Sequence, residues 1–347
     1  MLVSLYEQDS SDKVGDSLIA TLKGILVGQD TSSESQGQRV EQINKLLTEL
    51  QFHNVLGWVE DRGAVLAQPI QMAEALCSHW TGVTQPKGDS LDNCRRYLQT
   101  LGLPPNFGVM ARALFRPLTP ELVQESLKRL SSYSSLGEDG VPASVFHKFS
   151  KFYEPLMLQV AANSFTLGSL PQEWALGLIN WIPKCAGPAT VTKLRPIALQ
   201  TIKKKWLMTI VCMQVEQIFQ HLTHKQQVGC LKGRVMQQYI WSVASAFQPR
   251  SQRIVVSFDF SNAFPTLSHN FIEAVLNHIQ LPLMLIRFIM STLKAPCMFC
   301  IGQGVVPEVL FFPKAGIGQG DPFSALLFSF CVSFMLHHLS SLQHTDP

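Results

Sequence analysis

The chain has 347 residues, 46% of them hydrophobic and only 15% charged, with 28 basic against 25 acidic side chains and a net charge of +3. That length leaves room for a substantial core and roughly two domains. A charged fraction well below the roughly 25% of ordinary soluble chains excludes extensive disorder and a polybasic arm that binds nucleic acid by charge alone.

The longest uncharged apolar stretch, 322–336, is interrupted by Ser324, Ser329 and Ser333. It is shorter than the roughly 20 residues of a bilayer span, so no membrane partner is expected. The opening Met1-Leu2-Val3-Ser4 has neither a basic segment nor a long apolar one. A secreted product is therefore not expected. Eight scattered cysteines read as reduced thiols, and the expected location is intracellular, in nucleus or cytoplasm.

In chain order, 1–55 reads as two short amphipathic helices around a polar gap at 30–37, and 66–80 as another helix. Rich in Pro, Gly and Asn, 83–108 reads as loop. Thr119-Pro120-Glu121 offers a capping hydroxyl, a first-turn proline and a first-turn acid. Leu122, Val123, Leu127 and Leu130 follow at helical spacing. A turn is expected at Gly137-Glu138-Asp139-Gly140-Val141-Pro142. A helix over about 143–166 then turns Phe146, Phe149, Leu156 and Val160 inward. A short apolar run, 178–182, stops at Pro183, and a basic helical stretch over 200–222 opens on Lys203-Lys204-Lys205.

From 253 the period changes. Ile254, Val256 and Phe258 alternate with Val255, Ser257 and Asp259, which predicts a strand with an aspartate at its end. Ser268 caps a helix with Phe271, Val275 and Ile279 on one face. A second helix covers about 282–294. A hairpin joins 298–301 to 309–312, and a glycine-rich loop at 316–322 leads into an apolar helix over 323–340. This order predicts an α+β fold entered through a mainly helical N-terminal region. The expected division is 1–115, then 116–347.

The best catalytic candidate is Phe258-Asp259-Phe260-Ser261-Asn262-Ala263-Phe264. A carboxylate between aromatics at the end of a buried strand is costly unless it holds a metal, a cation or backbone donors. Taken alone, the segment reads first as an aspartate capping the turn after a strand.

Its context is more specific. With Ser268-His269, this segment resembles the first catalytic motif of reverse transcriptases of the non-LTR retrotransposon type, written Phe-Asp-Phe-Ser-Lys-Ala-Phe-Asp followed by Ser-His. Other blocks resemble that family in its own order. They are the turn at Gly137 to Pro142, Leu170-Pro171 with Trp174, Ile182-Pro183-Lys184, and Arg195-Pro196-Ile197-Ala198-Leu199. Gln227-Val228-Gly229 with Gly233-Arg234 follows, and Gly316-Ile317-Gly318-Gln319-Gly320-Asp321-Pro322-Phe323-Ser324 completes the series.

The resemblance implies a partial right-hand polymerase, with fingers and an incomplete palm. Such an enzyme extends a DNA primer on an RNA template with deoxynucleoside triphosphates, using two Mg²⁺ ions, or Mn²⁺ in their place. It implies that Asp259 is the first metal-binding aspartate and that the backbone carbonyl of Phe260 helps hold the second ion. Lys184 and Arg195 would meet the triphosphate, and Gln319 and Gly320 would contact the nucleotide. Phe264 would exclude a ribose 2′-hydroxyl. Gly233 and Arg234 would face template or primer phosphate. Beside these roles stand plain readings: a core aromatic for Phe264, solvated cations for Lys184 and Arg195, a structural salt bridge for Arg234, and a simple turn for 316–322.

Lys203, Lys204 and Lys205 are read either as a nucleic-acid contact or as a solvated helix face. Cys297-Met298-Phe299-Cys300 has no second ligand pair, and His221, His224, His337 and His338 read as surface or packing residues.

Several positions depart from the family pattern. Asn262 replaces a usual Lys, Pro265 an Asp, Gly318 an Arg and Glu138 a Pro, while Val235-Met236-Gln237-Gln238 replaces a run containing Ser-Thr and Asp. The family's second catalytic motif, aromatic-x-Asp-Asp, has no counterpart, because no Asp-Asp pair occurs in 1–347. The expectation is a polymerase domain truncated at its C-terminal side and inactive by itself. The alternative is a catalytically dead remnant that at most binds nucleic acid. The 323–340 helix is expected to expose its phenylalanines and to limit solubility. Protein partners are not legible.

Overall fold

A computed structural model describes residue 56 and residues 58–86, 88–103, 106–184, 189–246, 256–302 and 304–342. The helices expected in 1–55 and the first part of the strand expected from 254 lie outside these residues.

A small antiparallel pair, β1 (Val59–Asp61) and β2 (Ala64–Leu66), precedes α1 (Pro69–Val83). Proline starts α1, which buries Met72, Ala73, Leu76 and Trp80 along one stripe. The loop expected at 83–108 is instead about half helical, with α2 (Leu91–Thr100) and the start of α3 (Phe107–Leu114). The Ser90 side chain accepts the Asn93 N–H, Asp92 sits in the first turn, and Cys94 and Leu98 are buried one turn apart. Here capping and a two-residue apolar stripe outweigh a Pro- and Gly-rich composition.

Helix α4 (Pro120–Arg129) is capped by Thr119, as its sequence predicts. After a turn closed by Gly140 N–H to the Gly137 carbonyl at 3.2 Å, the next helix breaks in two: α5 (Ala143–Lys148) and α6 (Ser150–Leu167). Phe149 leaves helical geometry at the break (φ −108°, ψ 31°). The break resets the helical phase, so α6 buries Met157, Ala161 and Ser164. Phe149 and Leu156, expected inside, are exposed.

A short α7 (Gln172–Ala175) leads into β3 (Gly177–Pro183) and β4 (Leu194–Leu199), then α8 (Ile202–Leu222) and α9 (Met236–Ala246). The rest comprises α10 (Ala263–Thr266), α11 (His269–His278), α12 (Leu283–Leu293), β5 (Cys297–Ile301), β6 (Gly304–Phe311) and α13 (Ser324–Leu342). The four-stranded sheet runs β4-β3-β5-β6. β3 is antiparallel to β4 and parallel to β5, and β5 forms the expected hairpin with β6. Strand β6 begins at Gly304, five residues before the expected 309. Pro307 interrupts the apolar pattern there but is tolerated because β6 is a sheet edge.

Helix α8 runs through the core, with Trp206, Ile210 and Phe219 fully buried. Helix α13 packs on it through Phe330, whose ring stacks on Phe219 at 4.0 Å. Phe323, Phe330 and Phe334 are buried, so the expected exposure of phenylalanines on this helix is wrong. By length and composition α13 is apolar enough to cross a membrane, but its apolar side is core against α8. A mixed α+β class holds. One buried cluster joins Leu98 and Phe107 to Phe219 and Val275, so the core runs through the expected boundary at 115–116.

Candidate active site

Residues 256–260 form no strand; the chain is irregular and Val256, Phe258, Asp259 and Phe260 are exposed. Alternation alone makes no strand: a strand needs a partner ladder, and among the described residues the sheet contains only β3 to β6. Asn262 then enters the left-handed region (φ 53°, ψ 47°) and reverses the chain into α10. Asparagine is among the few residues that adopt this conformation readily. Ser268 caps α11 by accepting the Phe271 N–H, as expected.

The 316–322 loop is fastened on two sides. Its Gly316 N–H donates to the Leu267 carbonyl at 2.7 Å and its Ile317 N–H to the Phe264 carbonyl at 3.0 Å. On the other side the Ala198 N–H of β4 donates to the Gln319 carbonyl at 2.7 Å. Two glycines make these approaches possible. Gly316 has φ +94°, and a Cβ there would stand 2.5 Å from the Pro265 carbonyl oxygen. Gly320 has φ +109°, and its Cβ would stand 2.8 Å from the Ala198 oxygen. The loop thus ties the segment carrying Asp259 to the strand carrying Arg195.

A cleft of about 570 Å³ results, within the range of small-molecule sites. Lys184, Arg195, Asp259, Phe260 and Gln319 line it, five residues spread over 136 positions of sequence. Lys184 Nζ donates to the Thr192 carbonyl at 3.3 Å and to the Asn262 side-chain oxygen at 3.2 Å. Two cations face one carboxylate, so the cleft suits an anion with more than one negative charge. His79 and Trp80 of α1, together with Ser261 and Asn262, also line it. Nothing in the sequence flagged His79 or Trp80. Asn262 stood out only as a departure from a family pattern. Burial, then the nearby Lys184 charge, hold the His79 imidazole below its ordinary pKa.

Other expected site residues are placed elsewhere. Phe264 packs on Phe328, 4.9 Å between rings, at the edge of the core. Gly320 borders a different recess with Lys205. The Lys203–Lys205 run is not a nucleic-acid face: Lys204 and Lys205 are buried. Lys204 Nζ donates to the Ala175 carbonyl at 3.2 Å and Lys205 Nζ to the Ser135 carbonyl at 2.6 Å. Burial lowers the pKa of both amines. Lys203 pairs with Asp139 at 3.1 Å and lies over the Trp174 ring. Beginning at Thr201, α8 enters the core at once, so its first-turn lysines must be satisfied by neighbouring carbonyls.

Arg234 is likewise spent internally. Its guanidinium donates to the carbonyls of Gln220, Thr223, His224 and Gln227 at 2.6–3.1 Å, closing the C-terminal end of α8. Neither a phosphate contact nor the salt bridge of the plain reading survives for it, and Gly233 sits exposed in the preceding turn. Asp321 is buried and accepts from Gln200 Nε2 at 2.8 Å and from the Phe323 N–H at 2.8 Å. Burial nevertheless pushes its pKa up.

Among the described residues, Asp259 is the only acidic side chain lining the cleft, and no cluster of three metal-ligating side chains occurs. These described residues do not by themselves assemble a two-metal centre.

A loop fastened between the Asp259 turn and β4 thus overlies a cationic cleft with one carboxylate. Residues 182–345 match the family model for reverse transcriptase (RNA-dependent DNA polymerase). It is 23% identical over 217 residues to a retrovirus-related Pol polyprotein from the type-2 retrotransposable element R2DM of Drosophila melanogaster, covering 61% of this chain and 20% of that protein. It is 22% identical over 230 residues to one from the type-1 retrotransposable element R2 of Popillia japonica, covering 65% of this chain and 31% of that protein. The chain thus spans less than a third of the length of either relative. The family generally works with divalent metal ions, a nucleic-acid template and primer, and nucleotide substrates.

Proposed function

We propose that 116–347 supplies the fingers and part of the palm of an RNA-directed DNA polymerase of a retroelement, preceded by the mainly helical region 1–115. The observation that carries this is the convergence of Lys184, Arg195, Asp259, Phe260 and Gln319 on one cleft. In this reading the Lys184 ammonium and Arg195 guanidinium offset the charge of a deoxynucleoside triphosphate, Arg195 by bidentate contact. Gln319, held by its own carbonyl on β4, positions the base and sugar from a rigid loop. Asp259, on the exposed segment across the cleft, supplies one carboxylate toward Mg²⁺. A single carboxylate does not complete two-metal chemistry. The polypeptide 1–347 by itself is therefore expected to bind nucleotide without incorporating it.

Titrating 1–347 with a fluorescent deoxynucleoside triphosphate in Mg²⁺ tests this. Saturable binding is expected, weakened about tenfold by Lys184→Ala and by Arg195→Ala, as for loss of a charged contact. Primer extension on an RNA template is expected to give no product. Absence of saturable binding, or variants that bind like the parent chain, would overturn the nucleotide reading. Template-dependent incorporation abolished by Asp259→Ala would overturn the expected inactivity.

A further inference from the structure

Behind the wall formed by Trp80, Pro196 and Gln319, which also borders the cleft, lies a second cavity of about 100 Å³. One side is a face of the sheet, where Ile179 and Trp181 project together from β3. The lining is mostly apolar, yet three buried polar atoms of lining residues have no hydrogen-bond partner among the described residues: Nε1 of Trp80, Nε1 of Trp181 and Oε1 of Gln200. The three residues are 3%, 1% and 7% exposed, so bulk water does not reach them. Native proteins rarely leave such groups unmet, because each costs free energy.

The chemistry of the three atoms is settled by their surroundings. An indole nitrogen only donates. The Gln200 amide is oriented by Nε2, which donates to Asp321 at 2.8 Å, so Oε1 is left as an acceptor. The charged groups at this end are already engaged: Lys204 with the Ala175 carbonyl, and Asp321 with Gln200 and the Phe323 N–H. A charged guest would find no free counter-charge and would lose its hydration. For size, an apolar cavity of about 150 Å³ holds a benzene ring, so one of about 100 Å³ limits a guest to at most a single ring.

From these features we propose that the cavity is a binding site for a small, planar, neutral heteroaromatic molecule of a single ring. Such a guest carries one donor, which meets Gln200 Oε1, and one acceptor, which meets an indole N–H. It also touches the inner side of the loop that presents Gln319 to the cleft. The site does not depend on the nucleotide reading, since none of its three unmet atoms belongs to the charged residues of the cleft.

The test uses 1–347 at pH 7.5 with 2-pyridone, which is neutral and carries an N–H donor beside a carbonyl acceptor. At ten times its Kd it is expected to raise Tm by about 2–4 °C. Benzene, which fills the space without hydrogen bonds, is expected to bind at least about tenfold more weakly. Trp181→Phe removes one donor and is expected to weaken 2-pyridone about tenfold. Ile179→Phe fills the space and is expected to abolish binding. Saturation-transfer NMR provides a second readout on each protein. If Ile179→Phe does not fold, Trp181→Phe decides: reduced affinity supports the site and unchanged affinity overturns it. Absence of both Tm shift and saturation transfer on the parent chain, as for a cavity filled by ordered water alone, also overturns it.

Discussion

The ammonium of Lys184, at the end of β3, donates to the side-chain oxygen of Asn262 at 3.2 Å and so links the sheet to the turn that follows Asp259. Asn262 is held at φ 53°, ψ 47°. Asn262→Ala is therefore expected to destabilise by about 1 kcal/mol, mostly through left-handed strain, because the lost bond is exposed. Asn262→Gly should cost less. Asn262→Lys, which restores the family's usual residue, would in addition oppose two ammonium groups, and added salt should relieve part of its deficit. Urea midpoints of the three variants at low and high salt check the order.

The fastened loop gives a graded prediction. Gly316→Ala and Gly320→Ala meet backbone oxygen at 2.5 and 2.8 Å while also demanding positive φ. Each is expected to cost about 2–4 kcal/mol. Gly302→Ala, at φ +61° with nothing within 4 Å, should cost only about 1 kcal/mol. Equal midpoints for all three would mean that the loop does not rest on Pro265 and Ala198.

Arg234 offers a choice between two physical roles. With its guanidinium on four carbonyls, Arg234→Ala is expected to lower stability by about 2–3 kcal/mol, and Arg234→Lys to recover little of it, because one ammonium cannot reproduce the fork. The salt dependence of RNA binding should stay unchanged. A phosphate contact would instead leave the melting curve alone and reduce the salt slope by about one.

Acid should unfold the protein through its histidines. His79, His224, His269, His278 and His337 are all held below the ordinary value of 6.5, with burial the largest cause in each. His269 is typical. Its Nε2 lies 2.8 Å from the Gly316 carbonyl, so the neutral ring with Nε2–H donates there. Below 6.5 the unfolded chain binds protons that the folded chain does not, so unfolding becomes more favourable as pH falls. The stabilisation is complete above about 6.5 and is lost as pH drops toward each depressed folded-state value. Urea midpoints should fall between pH 7.5 and 5.5, and His269→Gln should flatten that fall. A midpoint that is flat or rises across this range would contradict the neutral, buried state.

The legible parts of the sequence were those governed by contacts a few residues apart. Thr119 and Ser268 cap the helices they were expected to cap, and the hairpin expected between 298–301 and 309–312 is present, with its second strand beginning earlier, at Gly304. Lys184, Arg195, Asp259 and Gln319 were legible as a group only through a resemblance to a family, since they come from separate segments. The misreadings of charged residues share one cause. Lys204 reads as a surface cation and Arg234 as a phosphate contact or salt bridge, because a charge carries no local mark of where its helix enters the core or which carbonyls lie nearby. Likewise, the alternation at 254–259 says nothing about whether a neighbouring strand is present to pair with it.

The amino-acid order by itself determined the low charge, the helix caps, the mixed α+β class and the glycines at 316 and 320, all properties of short stretches of chain. Only the tertiary structure decided which of the few cations face a cleft. Lys184 and Arg195 reach one because the Gln319 loop is hydrogen-bonded to β4, while Lys204, Lys205 and Arg234 are consumed in satisfying buried carbonyls. Burial makes the difference: in water each cation would be equivalent, but inside the protein an unmatched carbonyl or ammonium is costly enough to dictate which partner it takes.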